Sequence, residues 1–161
     1  MGEVGVERSE IVVGWREWVR MGRHGVPWIK AKMDTGARTS SLHAFDPEEF
    51  ERDDVPWVRL GVHPWQSGDD DAVVVEVPVH DRRLVRSSSG HAEERLVVLL
   101  GLTLARRRIR AEVTLTDRDE MGFRMLVGRE ALAQGFLVDS RLSYAGPRPR
   151  RSVRRRNWGK S

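Results

Sequence analysis

Apolar residues in this chain fall in short runs separated by turn-forming clusters, and where they alternate they do so with a period of two. Arg108-Ile109-Arg110-Ala111-Glu112-Val113-Thr114-Leu115 is the plainest case. Every second side chain is apolar, the pattern of a strand with one face buried and the other in water. Ile11–Val19, Trp28–Met33, Trp57–Val62, Val73–Val79 and Arg95–Leu100 predict further strands. Gly22-Arg23-His24-Gly25 and the polar stretch Gln66–Asp71 punctuate them as turns and loops. Glu130–Gln134 is the one convincing helical stretch, and Gly135 ends it. Asp46–Asp54 is too acidic to bury a face and reads as irregular, solvated chain. Many short strands without an internal repeat predict an all-β sandwich or barrel.

Composition narrows the class. A chain of 161 residues is long enough for one compact domain with a real core, plus tails. With 39% hydrophobic and 32% charged residues it reads as soluble and globular. No apolar run approaches the roughly 20 residues that span a bilayer, so no membrane partner is expected. Residues 1–10 read as a flexible N-terminus without the apolar core of a signal peptide, which predicts a cytoplasmic location. Cysteine is absent. That excludes disulfides, thiolate zinc sites and cysteine nucleophiles, and it suits a reducing compartment.

The +4 net charge is unevenly spread. Residues 146–161 hold Arg148, Arg150, Arg151, Arg154, Arg155, Arg156 and Lys160 and no acid; removing those seven cations leaves 21 bases against 24 acids, a net −3. Pro147 and Pro149 open this segment and argue against a continuing helix. Residues 146–161 therefore read as a basic, disordered tail on a mildly acidic domain spanning 11–145. The tail is either a solubilising end or an electrostatic contact to RNA, the ribosome or another polyanion, with Trp158 available for stacking.

Chemistry concentrates at Asp34-Thr35-Gly36-Ala37, where an apolar run ends and Thr39-Ser40-Ser41 follows. Ala31-Lys32-Met33 brings a strand into this motif, and Gly36 permits a tight turn beside the carboxylate. Far downstream, Met125-Leu126-Val127-Gly128-Arg129 is an apolar strand closing in Gly-Arg ahead of the short helix. These two elements, in this order, resemble the active-site loop and the supporting strand of retropepsin-like aspartic proteases.

The likeness is closer to one bacterial family. It is carried by Gly14-Trp15-Arg16-Glu17-Trp18, by Lys32 through Ala44, by Gly90-His91-Ala92-Glu93-Glu94-Arg95 and by Leu137-Val138-Asp139. These segments resemble bacterial retropepsin-like proteases often labelled ATP-dependent zinc proteases and often found beside ATP-grasp glutamate ligases. The resemblance covers about residues 11–144. It implies a closed β-barrel with one short C-terminal helix and an active site shared between two copies of the chain, because the motif occurs once and the chemistry needs two carboxylates. Asp34 would be catalytic, supported by Thr35, Gly36, Ala37, Gly128 and Arg129. In retroviral relatives a charged residue two places after a tryptophan bridges to the partner's catalytic loop. Glu17 and Arg38 occupy the two matching positions with both signs reversed, which implies a salt bridge across the dimer. The turn containing Arg86, Ser87, Ser88, Ser89, Gly90 and His91 is the candidate flap by its order between the motifs; the plain alternative is an ordinary hairpin turn. Its basic character, with Arg38, favours acidic or glutamate-rich peptide substrates.

Two rivals remain. A non-catalytic module of the same fold would bind acidic protein tails or RNA, and a metal-dependent peptidase would follow the inherited label. No His-Glu-x-x-His is present and the five histidines are dispersed. Gly159-Lys160-Ser161 lacks the first glycine of a phosphate-binding loop, since position 154 is Arg. No metal or cofactor is therefore expected, and the expected partners are a second copy of the chain and a peptide substrate.

Overall fold

The computed structural model describes residues 9–66, 68–86, 89–117 and 122–156. Twelve strands are found among them: β1 (Ile11–Val13), β2 (Arg16–Met21), β3 (Val26–Asp34), β4 (Ser40–His43), β5 (Phe45–Arg52), β6 (Val55–Val62), β7 (Val73–Pro78), β8 (Asp81–Arg86), β9 (Ala92–Leu104), β10 (Arg107–Thr116), β11 (Met125–Gly128) and β12 (Phe136–Val138). A 3-10 turn, Gly22–His24, joins β2 to β3, and two short helices follow late in the chain, α1 (Arg129–Leu132) and α2 (Arg151–Arg156). None of these helices is long and apolar enough to cross a membrane.

Six strands close into a ring in the order β10-β4-β11-β3-β2-β9, sealed by the antiparallel pairing of β9 with β10. Closure removes the open sheet edges that an all-β chain must otherwise protect. Alternation explains the interior. On β10, Ile109, Ala111 and Val113 are buried while Arg108 and Arg110 are exposed, and from Val113 onward, where β4 pairs alongside, both faces are covered. Val19, Ile29, Ala31, Met33, Leu42, Val98, Leu100, Leu102, Leu104, Met125 and Val127 complete the core from the other strands. The 13-residue β9 also pairs with β8 along its first half and meets β2 at its end. Outside the ring, β5-β6-β7 form an antiparallel sheet, and β1 and β12 a parallel pair.

The expected all-β barrel is thus observed, with local differences. Ile11–Val19 is two strands, not one, broken at Gly14-Trp15, where Trp15 donates its N–H to the carbonyl of Leu142 at 2.9 Å. Asp46–Asp54 is mostly strand β5, turned at Asp53 and Asp54, which adopt positive φ of 53° and 64°. Charge pairs lace this sheet: its Glu49 meets Arg82 of β8, and its Arg52 joins Arg59 of β6 in holding Glu76 of β7 at 2.9 Å. The described part of the basic segment is also structured. Pro149 is buried and Arg151–Arg156 is helical, so a second helix accompanies the one expected.

Glu17 ties down the start of that segment. Its side chain is 1% exposed and accepts three backbone N–H groups, from Gly14 at 2.6 Å, Ala145 at 2.9 Å and Gly146 at 3.0 Å. A buried carboxylate is costly unless such donors satisfy it, and here they bind β2 to the C-terminal segment. Lys30, also buried, lies over the rings of Trp18 and Tyr144, at 5.4 and 5.9 Å. Burial, and then the neighbouring Arg16, lower the pKa of that ammonium. Replacing Glu17 by Gln turns an NH2 toward these donors. The variant should lose roughly 2–3 kcal/mol of stability, read as a lower urea midpoint with unchanged m-value.

Candidate active site

β3 carries the chain to Asp34, its last residue, and β11 runs parallel to it with Gly128 across from Asp34. Beyond Asp34 the chain turns back. Gly36 donates its N–H to Asp34 Oδ1 at 2.9 Å, and Ala37 donates to the Asp34 carbonyl at 3.3 Å. The Asp34 side chain is half-buried, with Thr35 and Gly36 exposed beside it. One carboxylate oxygen is therefore held by the loop. The other accepts no hydrogen bond from the described residues.

The loop is locked from behind. Arg129 and Glu130, opening α1, donate their N–H groups to the carbonyls of Ala37 at 2.7 Å and Arg38 at 3.1 Å. Helix-start donors that would lack partners thereby fix the loop, and the loop in turn positions the helix. Gly128 donates its N–H to the buried Ser40 hydroxyl at 3.0 Å. A Cβ on Gly128 would lie 2.5 Å from the Thr39 carbonyl carbon and oxygen, closer than atoms tolerate, so only glycine fits. The Arg129 guanidinium reaches the Thr35 carbonyl at a long 3.4 Å. Trp15 flanks the same place: its carbonyl accepts the Met33 N–H at 2.8 Å and its ring meets Phe123 edge-on at 6.0 Å.

The structure gathers Asp34, Thr35, Gly36, Ala37, Gly128 and Arg129 into one unit. The Glu17–Arg38 bridge is a different matter. Glu17 is enclosed by amides of its own chain, and Arg38 pairs with Glu130 at 2.8 Å on the surface. A carboxylate already holding three donors and shut off from solvent is not presented to a second chain. Of the candidate flap, Arg86 ends β8, and Ser89, Gly90 and His91 lie in the turn before β9; Ser87 and Ser88 lie outside the described residues. Among the described residues no three His, Cys, Asp or Glu side chains assemble as a metal-ligand set.

Two functional contacts escaped the sequence reading. Ser40 lay in the quoted Thr-Ser-Ser run, but nothing marked which hydroxyl would be buried. Glu130 looked like an ordinary helix residue, and its pairing with Arg38 spans 92 positions of sequence.

A closed strand ring with Asp-Thr-Gly at the end of one strand, braced by Gly-Arg at the end of its parallel neighbour, is a retropepsin-like arrangement. The chain belongs to the RimB-like family, described as retropepsin-like aspartic endopeptidases, whose family model matches residues 12–149. It is 46% identical over 137 residues to a probable alpha-L-glutamate ligase of Parasynechococcus marenigrum, covering 84% of this chain and 29% of that protein. A probable alpha-L-glutamate ligase of Shewanella pealeana is 42% identical over 136 residues, 84% of this chain and 30% of that protein. The chain thus spans less than a third of the length of these relatives. Among solved structures, a Legionella pneumophila protein of unknown function superposes with a TM-score of 0.72 at 26% identity, over 85% of this chain and 98% of that one.

Gly128→Ala should destabilise the domain by roughly 1–3 kcal/mol, the usual cost of overpacking, and loosen the Asp34 loop; amide exchange at Gly36 and Ala37 would rise. Ser40→Ala should cost about 1–2 kcal/mol by leaving the Gly128 N–H unpaired, read from denaturant midpoints.

Proposed function

We propose that this protein is an aspartic endopeptidase whose active site forms when two copies bring Asp34 and Asp34 of the second copy face to face. The observation that carries this reading is the Asp34 carboxylate, braced on one oxygen by Gly36 and left open on the other, in a loop locked by β11 and α1. Each copy supplies one such carboxylate. Two in contact cannot both ionise readily, so they share one proton, an effect for which aspartic proteases are the standard example. The charged member takes a proton from a water, which adds to the scissile carbonyl. The protonated member hydrogen-bonds the carbonyl oxygen, and the leaving nitrogen is protonated as the C–N bond breaks. The titration belongs to the pair and not to either residue.

Exposed apolar residues support self-association. Val12 and Leu137 face each other in register on the β1–β12 pair and are 49% and 55% exposed. An aliphatic pair on a short two-stranded sheet gains by covering this surface with a second copy. The β8–β9 hairpin serves as the flap over the cleft. Its Arg86, together with the glutamate ligases among the relatives, favours acidic, glutamate-containing peptides as substrates.

Asp34→Asn should abolish cleavage of a mixed peptide library read by mass spectrometry, while wild-type specific activity rises with protein concentration. Leu137→Asp should shift sedimentation toward monomer and lower activity in parallel. Cleavage that survives in Asp34→Asn, or a purely monomeric active enzyme, would sink the reading. Absence of cleavage in a protein shown to be dimeric would favour a binding module instead.

A further inference from the structure

A cavity of about 700 Å³ opens between the Gly22–His24 turn, the end of β7 and the outer face of the β9–β10 hairpin. Arg23, Arg108 and Arg110 line it, and no carboxylate does. Its floor has a notch. Arg110 pairs across the hairpin with Gly101, and a Cβ placed on Gly101 would find no atom within 4 Å. His24 contributes a ring nitrogen, Nε2, that is shielded from solvent and has no hydrogen-bond partner.

Several arginines outside the cleft are matched by acids. Arg38 holds Glu130, Arg52 and Arg59 hold Glu76, Arg82 holds Glu49, Arg83 holds Glu112, and Arg141 holds Asp139. Even Glu112, next to Arg110 on the same face of β10, is held by Arg83 at 2.6 Å. Arg23, Arg108 and Arg110 form no ion pair with any described residue, although they line one cavity. Three unneutralised guanidiniums around a concave surface repel one another unless an anion joins them. A second cavity, of about 350 Å³, shares Thr103 with the first and adds Arg20, Arg106 and Arg148, extending the positive surface.

The aromatic residues decide which polyanion fits. Single-stranded nucleic acid binds by stacking bases on open rings. Here Trp18 is 3% exposed, and the face of Trp28 is occupied by the Arg20 guanidinium at 4.7 Å. Among the described residues the surface offers forked cations for carboxylates, while the two tryptophans beside it are buried or already covered by a guanidinium.

We propose that this cleft is an accessory site that holds an acidic peptide segment away from the scissile bond. It rests on the acidic-substrate reading above for its role in cleavage, whereas binding itself does not depend on catalysis. The Gly22–His24 turn leads through Gly25 into the start of β3, whose far end is Asp34. Nine residues of strand separate the two. At about 3.3 Å per residue they stand roughly 25–30 Å apart. A substrate must therefore extend roughly eight residues or more beyond the cleaved bond to engage both. Longer acidic substrates should show a lower KM and the same kcat.

The test uses full-length Asp34→Asn protein and fluorescein-labelled deca-glutamate, read by anisotropy at low salt. We expect binding that weakens with added salt and a Kd about tenfold higher in Arg108→Glu/Arg110→Glu. Gly101→Glu, whose side chain has room and whose carboxylate would pair with Arg110, should weaken binding comparably. Arg141→Glu, outside the cleft, should not. Circular dichroism establishes that each variant is folded. Unchanged affinity in both cleft variants, equal loss in Arg141→Glu, or binding of a labelled single-stranded RNA that deca-glutamate cannot displace would overturn the proposal. Binding that behaves as expected in a protein that cleaves nothing would leave this site standing and remove the protease reading alone.

Discussion

The close approach of β11 to the loop after Asp34 is the constraint on which the rest of the site depends. It is a backbone contact: Gly128 lies so near the Thr39 carbonyl that no side chain can intervene, and the N–H groups of Arg129 and Glu130 are used up on loop carbonyls. A loop braced this way has little freedom, so the Asp34 carboxylate is pre-positioned by the fold itself. Pre-positioning is what an electrostatic catalyst needs, because reorganising dipoles during reaction would cost much of the benefit. The constraint also reaches outward. The same contact sets α1, and the ring neighbours of β11 are β3, which carries Asp34, and β4, which carries Ser40.

A second constraint holds the two ends of the domain together. Glu17 sits in β2, one strand away from β3 in the ring, yet two of its three donors come from Ala145 and Gly146. The carboxylate does the work that a disulfide or a metal might do in another small protein. It acts through backbone hydrogen bonds, and it forms no ion pair with any described residue. That is why an analogy based on charge pairs placed it wrongly: sign and spacing resembled an interchain bridge, but burial decides what a carboxylate can reach.

The legible parts of the sequence were those governed by periodicity and by residue types with one physical use. Period-two alternation on β10, the Asp-Thr-Gly turn and the Gly-Arg stop on β11 each carry their structural meaning locally, and all appear where expected. What was not legible depended on partners far away in the chain. Asp46–Asp54 is exposed as expected but is not irregular: it pairs with β6 as strand β5, and Arg82, which meets its Glu49, lies 33 residues away. The basic segment looked disordered because its prolines and arginines lack a local pattern, whereas its first residue, Gly146, is held by the Glu17 carboxylate 129 residues away. Composition describes a segment alone; burial and pairing belong to the fold.

Charge distribution shows the same division at the scale of the surface. Of 28 basic residues only Lys30, Lys32 and Lys160 are lysine, so the fold handles nearly all its positive charge as guanidinium. Where β5, β6 and β7 form the outer sheet, acids and arginines alternate across strands and neutralise each other, a face suited to water and to no particular partner. Around the β9–β10 turn the arginines stand without acids, over a groove that a single missing side chain at Gly101 keeps open. Exposed ion pairs contribute little stability, so the pairing on one face and its absence on the other are poorly explained by folding. The difference is better explained by recognition: a cation left unpaired in a concave surface keeps its full attraction for an incoming carboxylate, whereas one already paired must first give up its partner.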